Sequence, residues 1–137
     1  MSRQAMSEVE RVSWTHGHSG RARQFAWYVE PISGGLKIEK LHQTATPGIL
    51  KYSQVERATI LRSLSQQFGT EWFPLANNVQ KLTRGIERPG LGMTILAQKP
   101  SNILHAQGAS YLGVVWEEGG FLEWNGRHRG IAWRLVQ

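Results

Sequence analysis

The chain of 137 residues contains no cysteine and no aspartate, and all ten of its acidic residues are glutamate. The absence of cysteine excludes disulfides, thiolate zinc ligands and a cysteine nucleophile. The absence of aspartate means that a metal-dependent nuclease or phosphatase site would have to be built from glutamates alone. No spacing of the five histidines indicates a zinc site. We therefore predict no metal, no cofactor and no catalytic residues.

Long apolar runs are missing as well. No segment approaches the roughly 20 apolar residues of a membrane helix, and residues 1–11 are too polar for a secretory signal. We expect a cytoplasmic protein without a membrane partner. The length suits a single core, which we place in one domain, residues 24–137, behind a flexible polar arm, residues 1–23.

Positive charge is in excess. Lysine and arginine number 16 against ten glutamates, which gives a net charge of +6 and a pI near 10.2. A strongly basic balance favours a polyanionic partner. Nucleic acid is the first candidate.

Local patterns predict the elements in the first two thirds of the chain. Aromatic, β-branched and alternating residues predict a β-hairpin over residues 24–43. The series Ser53-Gln54-Val55-Glu56 matches a capping box, so a helix should begin near Gln54, with Val55, Ala58, Leu61, Leu64 and Phe68 at helical spacing and Gly69 at its end. A shorter helix is predicted from Pro74 to Arg84. Periodicity leaves residues 93–97 open between strand and helix.

The last third carries the clearest pattern. A helix is predicted over residues 101–118, and Gly108 is where it would divide into two. Gly119-Gly120 ends it, and two short apolar segments, 121–124 and 131–136, then flank the turn Asn125-Gly126-Arg127-His128-Arg129-Gly130. Asn-Gly between such segments is typical of a β-hairpin.

Over residues 53–136 this order of three or four helices and a C-terminal β-hairpin resembles the winged helix-turn-helix superfamily. The predicted fold class is therefore α+β: an N-terminal β-hairpin followed by a winged-helix-like body. The resemblance implies that the last helix enters the major groove and that the hairpin touches an adjacent groove or the backbone. It also makes a homodimer the expected oligomeric state, because winged helices often pair.

The predicted function is DNA binding through phosphate contacts, in transcriptional regulation or in organising DNA. The side chains expected to meet phosphates flank the last helix: Lys81, Arg84, Arg88, Arg127, His128, Arg129 and Arg134. The resemblance makes four polar residues near the start of that helix candidate base readers: Asn102, His105, Gln107 and Ser110. The helix itself contains no lysine or arginine between Ser101 and Glu118, which suits attachment to double-stranded DNA better than sequence reading.

Two other readings stay open. One is an interaction module of a larger assembly, whose protein partner would dock on a face of small residues, namely Ala106, Ala109, Ser110 and Gly113. The other is a small metal-free hydrolase, in which His42 or His105 would act as a base with Glu39, Glu56 or Glu117 as its partner. That reading requires a pocket in which a histidine and a glutamate converge.

Overall fold

A computed structural model describes residues 9–42 and 48–136 of the chain. They form an α+β arrangement of two antiparallel sheets and five helices. The strands are β1 (Arg11–Trp14), β2 (Gln24–Val29), β3 (Leu36–Lys40), β4 (Ile49–Tyr52), β5 (Phe73–Pro74), β6 (Leu122–Trp124) and β7 (Ala132–Leu135). The helices are α1 (Gln54–Phe68), α2 (Val79–Arg84), α3 (Leu91–Gln98), α4 (Ile103–Gln107) and α5 (Ala109–Glu118).

The first sheet has the order β1-β2-β3-β4, and all its neighbours are antiparallel. The predicted N-terminal hairpin is confirmed as its centre, where Trp27 of β2 lies opposite Ile38 of β3. The edge strand β1 was not predicted, because residues 11–14 were assigned to a flexible arm. They pair with β2 instead, and Ser13 lies opposite Phe25.

The core lies between the inner face of this sheet and the helices. Side chains alternate between the two faces along each strand, and Phe25 of β2, Ile38 of β3 and Tyr52 of β4 lie on the inner face, where they are fully buried. Phe25 meets Tyr111 of α5 edge to face, with ring centroids 5.1 Å apart. The sheet therefore covers one side of α5.

Helix α1 begins and ends where the sequence predicts. The Ser53 hydroxyl accepts a hydrogen bond from the amide of Glu56 at 3.0 Å, and Gly69 closes the helix with a φ of 58°. The buried stripe differs from the predicted one, since Val55 is 77% exposed whereas Glu56 is buried. The carboxylate of Glu56 has polar partners in the interior, which are described below. The helix is therefore rotated about its axis relative to the orientation that the apolar spacing predicted.

The second helix is shorter than predicted. Pro74 belongs to β5, where it lies opposite Ala132 of β7, and α2 begins only at Val79 with Asn78 as its cap. Residues 93–97, which periodicity left open, are helical and belong to α3.

The predicted helix over residues 101–118 is divided at Gly108 into α4 and α5. A Cβ at Gly108 would lie 2.2 Å from the Tyr52 hydroxyl oxygen, so only glycine allows this approach. Apart from Ser110, every residue of α5 from Ala109 to Trp116 is buried.

The second sheet has the order β5-β7-β6 and contains the predicted C-terminal hairpin, β6–β7, in which Trp124 lies opposite Trp133. Across residues 9–42 and 48–136, none of the helices combines the length and apolar character needed to span a membrane.

Candidate nucleic-acid interface

A basic cleft of about 400 Å³ lies between α2 with the loop after it and the turn of the C-terminal hairpin. Four of the predicted phosphate contacts meet in it, from two segments that are 40 positions apart in the sequence. The charged and titratable side chains on its walls are Lys81, Glu87, Arg88, His128 and Arg129, and His18 joins them from the loop between β1 and β2.

The α2 side of the cleft is fixed by local hydrogen bonds. The Asn78 side chain accepts from the amide of Lys81 at 3.0 Å, which caps the helix. Gly85 ends it in the left-handed conformation, with a φ of 71°. Glu87 then folds back, because its carboxylate accepts from the amides of Asn78 at 3.0 Å and Arg88 at 2.8 Å. Among the described residues, the one carboxylate on the cleft wall is thus bound to backbone amides.

The cations of the cleft remain unneutralised. Lys81, Arg88 and Arg129 form no salt bridge within the part of the chain that the structure describes. Lys81 and Arg88 are exposed on one wall and Arg129 on the other. Three permanent cations therefore face a groove that contains one carboxylate.

The hairpin turn that carries Arg129 is held by its own side chains. Asn125 accepts from the amide of Arg127 at 3.1 Å and donates to the carbonyl of Gly130 at 3.0 Å. Trp124 donates its indole N–H to the carbonyl of Arg127 at 3.3 Å. Gly126 and Gly130 have φ values of 77° and 72°, which glycine adopts without strain.

The loop between β1 and β2 supports this turn. The ring of His16 stacks on Trp124 with centroids 3.6 Å apart and planes 1° from parallel. Nδ1 of His128 lies 2.9 Å from the carbonyl oxygen of His16. On its other side, His16 Nε2 lies 2.8 Å from Glu117 Oε1, which also accepts from the Trp133 indole at 3.1 Å. The loop is therefore held by hydrogen bonds and ring stacking against both α5 and the C-terminal hairpin.

His18 is the residue of this site that sequence reasoning missed. It lies in the segment predicted to be a flexible arm, residues 1–23, and no local signal in the sequence distinguishes it from the other polar residues there. Nδ1 of His18 is buried without a hydrogen-bond partner. Burial, together with the positive charges of Arg129 and Arg21, lowers the pKa of His18 below its ordinary value of 6.5. The cleft therefore contains a histidine whose charged form is disfavoured and whose Nδ1 is not used by the described residues.

The other predicted phosphate contacts lie outside the cleft walls. Arg84, in the last turn of α2, and Arg127, in the hairpin turn, are exposed beside it. Arg134 points elsewhere: its Nε donates to Glu123 at 2.8 Å, and its guanidinium lies 4.5 Å from the centre of the Trp72 ring.

The structure does not bring the four candidate base readers together on an exposed face. His105 is buried, and Asn102 caps α4 by accepting from the amide of His105 at 3.0 Å. Gln107 and Ser110 are half-buried. Since α5 is covered by both sheets, a helix inserted into the major groove is not available at this position.

The face of small residues, which the sequence offered as a docking surface for a protein partner, is covered by other residues of this chain. Ala106 and Ala109 are fully buried. A Cβ at Gly113 would lie 2.5 Å from the ring of Trp133, which shows how closely that indole packs on α5. A partner helix therefore cannot dock there.

Two histidine–glutamate pairs lie within the residues that the structure describes. His105 Nε2 lies 2.5 Å from Glu56 Oε2 in the interior, and the second pair is the His16–Glu117 contact described above. Nε2 of His42 lies 3.0 Å from the Tyr111 hydroxyl. In the two described ranges, no three histidine or glutamate side chains are grouped so that they could hold a metal ion.

Comparisons of this chain with models of protein families, with curated proteins and with solved structures found no match.

Proposed function

We propose that this protein binds nucleic acid, with double-stranded DNA as the first candidate, by its phosphate backbone in the basic cleft. The observation that supports this best is the convergence of Lys81, Arg88 and Arg129 from distant segments without neutralising partners. Arg84 and Arg127 are further exposed cations on the two elements that form the cleft, α2 and the hairpin turn. Several cations on neighbouring elements suit a repeating phosphate chain better than a single small anion.

The binding is expected to be independent of sequence. Phosphate contacts position a protein on a duplex, whereas base edges carry the sequence information. The burial of α5 removes the element that a winged helix would insert into the major groove. The hairpin is consistent with a winged-helix-like attachment, because its basic turn forms one wall of the cleft.

The test is fluorescence anisotropy of a labelled duplex of random sequence, titrated between about 50 and 200 mM salt, with single-stranded RNA for comparison. The double variant Arg88→Gln/Arg129→Gln removes two cleft cations. If each contacts one phosphate, the slope of log affinity against log salt should fall by roughly 0.9 per contact, or about 1.8 in total.

The matched control is Arg62→Gln/Arg134→Gln, which removes the same charge away from the cleft. Arg62 is exposed on α1, and Arg134 is paired with Glu123. This control should leave the salt slope unchanged. If both double variants lost duplex affinity and salt slope equally, the binding would depend on net charge, and the cleft would not be the site. An absence of duplex binding at the lower salt concentration would refute the proposal itself.

A further inference from the structure

A second cavity of about 380 Å³ lies between strand β4 of the first sheet and helix α4 with the residues before it. Its walls include the apolar residues Leu50 and Leu104 and the polar residues Lys51, Asn102 and His105. Its volume is within the range of small-molecule sites. Nothing in the nucleic-acid proposal uses this cavity.

The wall at His105 contains a buried histidine–glutamate pair. Glu56 and His105 have side chains only 7% and 6% exposed, and Glu56 Oε2 lies 2.5 Å from His105 Nε2. The other carboxylate oxygen, Oε1, lies 3.8 Å from the ammonium of Lys99. Because the carboxylate accepts from Nε2, it keeps the proton of the neutral ring on that nitrogen. The cavity is thus a pocket in which a histidine and a glutamate converge, as a metal-free hydrolase requires.

The position of His105 is fixed by its neighbours. Its amide donates to the side chain of Asn102 at 3.0 Å, and its carbonyl accepts from the hydroxyl of Tyr52 at 2.7 Å. The ring of Tyr52 lies against the imidazole, with centroids 4.2 Å apart and planes 32° from parallel. The imidazole is therefore held in one place before any ligand binds, which favours proton transfer at a defined atom.

The second ring nitrogen of His105, Nδ1, is available to a ligand. It has no hydrogen-bond partner among the described residues. Within the same residues, the buried side-chain nitrogen or oxygen without a partner is Nδ1 of His18. Nδ1 of His105 therefore keeps some solvent-exposed area, and the open space beside this residue is the cavity. With the proton on Nε2, Nδ1 has a lone pair that can accept a proton.

The apolar part of the wall indicates the size and character of a substrate. Ile49 and Leu104 are 47% and 40% exposed, and both line the cavity beside Leu50. They offer a surface for a short alkyl or aryl group. None of the described lining residues carries a hydroxyl or a thiol, so water is the nucleophile that Nδ1 can activate.

Positive charge on the walls suits attack on a carbonyl group. When water adds to an acyl carbon, the carbonyl oxygen becomes an oxyanion, and cations stabilise it. Lys51 and Lys99 supply ammonium groups at the cavity. Lys40 also lines it, but its ammonium lies 5.7 Å from the centre of the Tyr111 ring, and the proposed reaction does not use it.

We propose that the protein hydrolyses small carboxylic esters in this cavity, with Nδ1 of His105 as the general base and Glu56 as its positioning residue. A water molecule gives a proton to Nδ1 while its oxygen forms a bond to the acyl carbon. The bond from that carbon to the alcohol oxygen then breaks, and the proton passes from Nδ1 to this oxygen. The products are a carboxylic acid and an alcohol. Glu56 stabilises the imidazolium that exists between the two proton transfers.

The test is hydrolysis of p-nitrophenyl acetate by the full chain, followed by the release of p-nitrophenol. His105→Gln keeps a donor for Glu56 but removes the base. Since general-base catalysis contributes about 10²–10⁴-fold, kcat should fall at least about 100-fold in this variant, with KM little changed. Glu56→Gln should lower kcat by at least about tenfold, again with KM little changed, because an amide has no charge to stabilise the imidazolium.

The matched control is His42→Gln, which removes the other base that the sequence offered. Its kcat should equal that of the unaltered protein. Loss of activity in this control instead of in His105→Gln would overturn the assignment of the base. Ester hydrolysis no faster than that of His105→Gln would overturn the proposal. Duplex binding should be the same in all three variants, because the cavity is separate from the basic cleft, so this proposal and the nucleic-acid proposal can fail independently.

A measurement on the unaltered protein needs no variant to fold. Nitrogen-15 NMR of the His105 ring at about pH 8, above the ordinary histidine pKa, should show the proton on Nε2 and none on Nδ1. A proton on Nδ1 at that pH would contradict its role as a base. A burst of p-nitrophenol equal to the amount of protein would show that a side chain is acylated, and it would overturn attack by water.

Discussion

Replacing Gly113 by alanine tests whether α5 is covered by the second sheet. The added Cβ would lie 2.5 Å from two atoms of the Trp133 ring and 2.8 Å from a third. Ordinary carbon contacts are about 3.5–4.0 Å, so the ring or the helix would have to move by about 1 Å. Trp133 is 1% exposed and donates its N–H to Glu117, so it has little room to move.

The magnitude follows from two opposing effects. Overpacking a core costs about 1–3 kcal/mol, whereas alanine in place of glycine inside a helix returns about 1 kcal/mol. Because three atoms of the Trp133 ring would lie within 2.8 Å of the added Cβ, the overpacking cost belongs in the upper part of that range, about 2–3 kcal/mol. We therefore expect a net loss of about 1–2 kcal/mol, or a fall in Tm of roughly 3–8 °C for a domain of this size. Thermal unfolding followed by circular dichroism measures both.

The control is Gly119→Ala at the end of the same helix. Its Cβ would meet Phe121 at 3.3 Å, and that side chain is 49% exposed and can shift. Its free energy of unfolding should change by less than about 0.5 kcal/mol. If Gly113→Ala were as stable as this control, Trp133 would not pack on α5 as described. The face of small residues on α4 and α5 would then be open to a protein partner.

Three further predictions concern buried or titrating side chains. Glu56→Ala leaves His105 without its partner and should lower the free energy of unfolding in urea by about 3 kcal/mol; a loss below about 1 kcal/mol would show that the pair is not structural. Burial, with the charges of Glu56 and Tyr111, raises the pKa of Tyr52 above its ordinary value of 10.0. The stability that Tyr52 contributes is therefore fully present below about pH 10 and is lost as the pH rises above it. Tm should fall above pH 10 and fall less steeply in Tyr52→Phe; parallel profiles would contradict this. A phosphate beside His18 should raise its lowered pKa, so duplex affinity should increase as the pH falls towards the lowered pKa of the free protein. Anisotropy titrations of His18→Gln should show a weaker increase, and an unchanged pH profile would remove His18 from the site.

Elements with strong local signals were predicted from the sequence. The Ser53 cap and Gly69 fix α1, and Asn125-Gly126 indicates the hairpin turn, because the groups that stabilise these features are only a few residues apart. Pro74 was misassigned, since its partner in β7 is 58 positions further along the chain. No pattern in the residues around Pro74 predicts a pairing with a strand so distant in the sequence.

For the candidate site too, the sequence predicted some features and missed those that depend on distant residues. Charge alone made Lys81, Arg88 and Arg129 candidates, because cations near predicted loops are expected to face solvent, and the structure brings these three to one cleft. It could not separate them from Arg134, which a glutamate on the neighbouring strand neutralises. His105 was taken for a surface residue because a histidine in a helix gives no sign of a buried carboxylate 49 positions earlier.

The fastening of the β1–β2 loop to the C-terminal hairpin has a consequence for biosynthesis. The His16 ring can contact Glu117 only after 101 further residues have been synthesised. The His16 carbonyl oxygen can contact His128 only after 112 further residues. At about 5–20 residues per second, translation takes roughly 5–20 s to cover that distance. During this interval β1 and the loop have neither α5 nor the hairpin to pack against. A nascent chain on the ribosome, surrounded by ribosomal RNA, therefore has no assembled basic cleft until the hairpin has been synthesised.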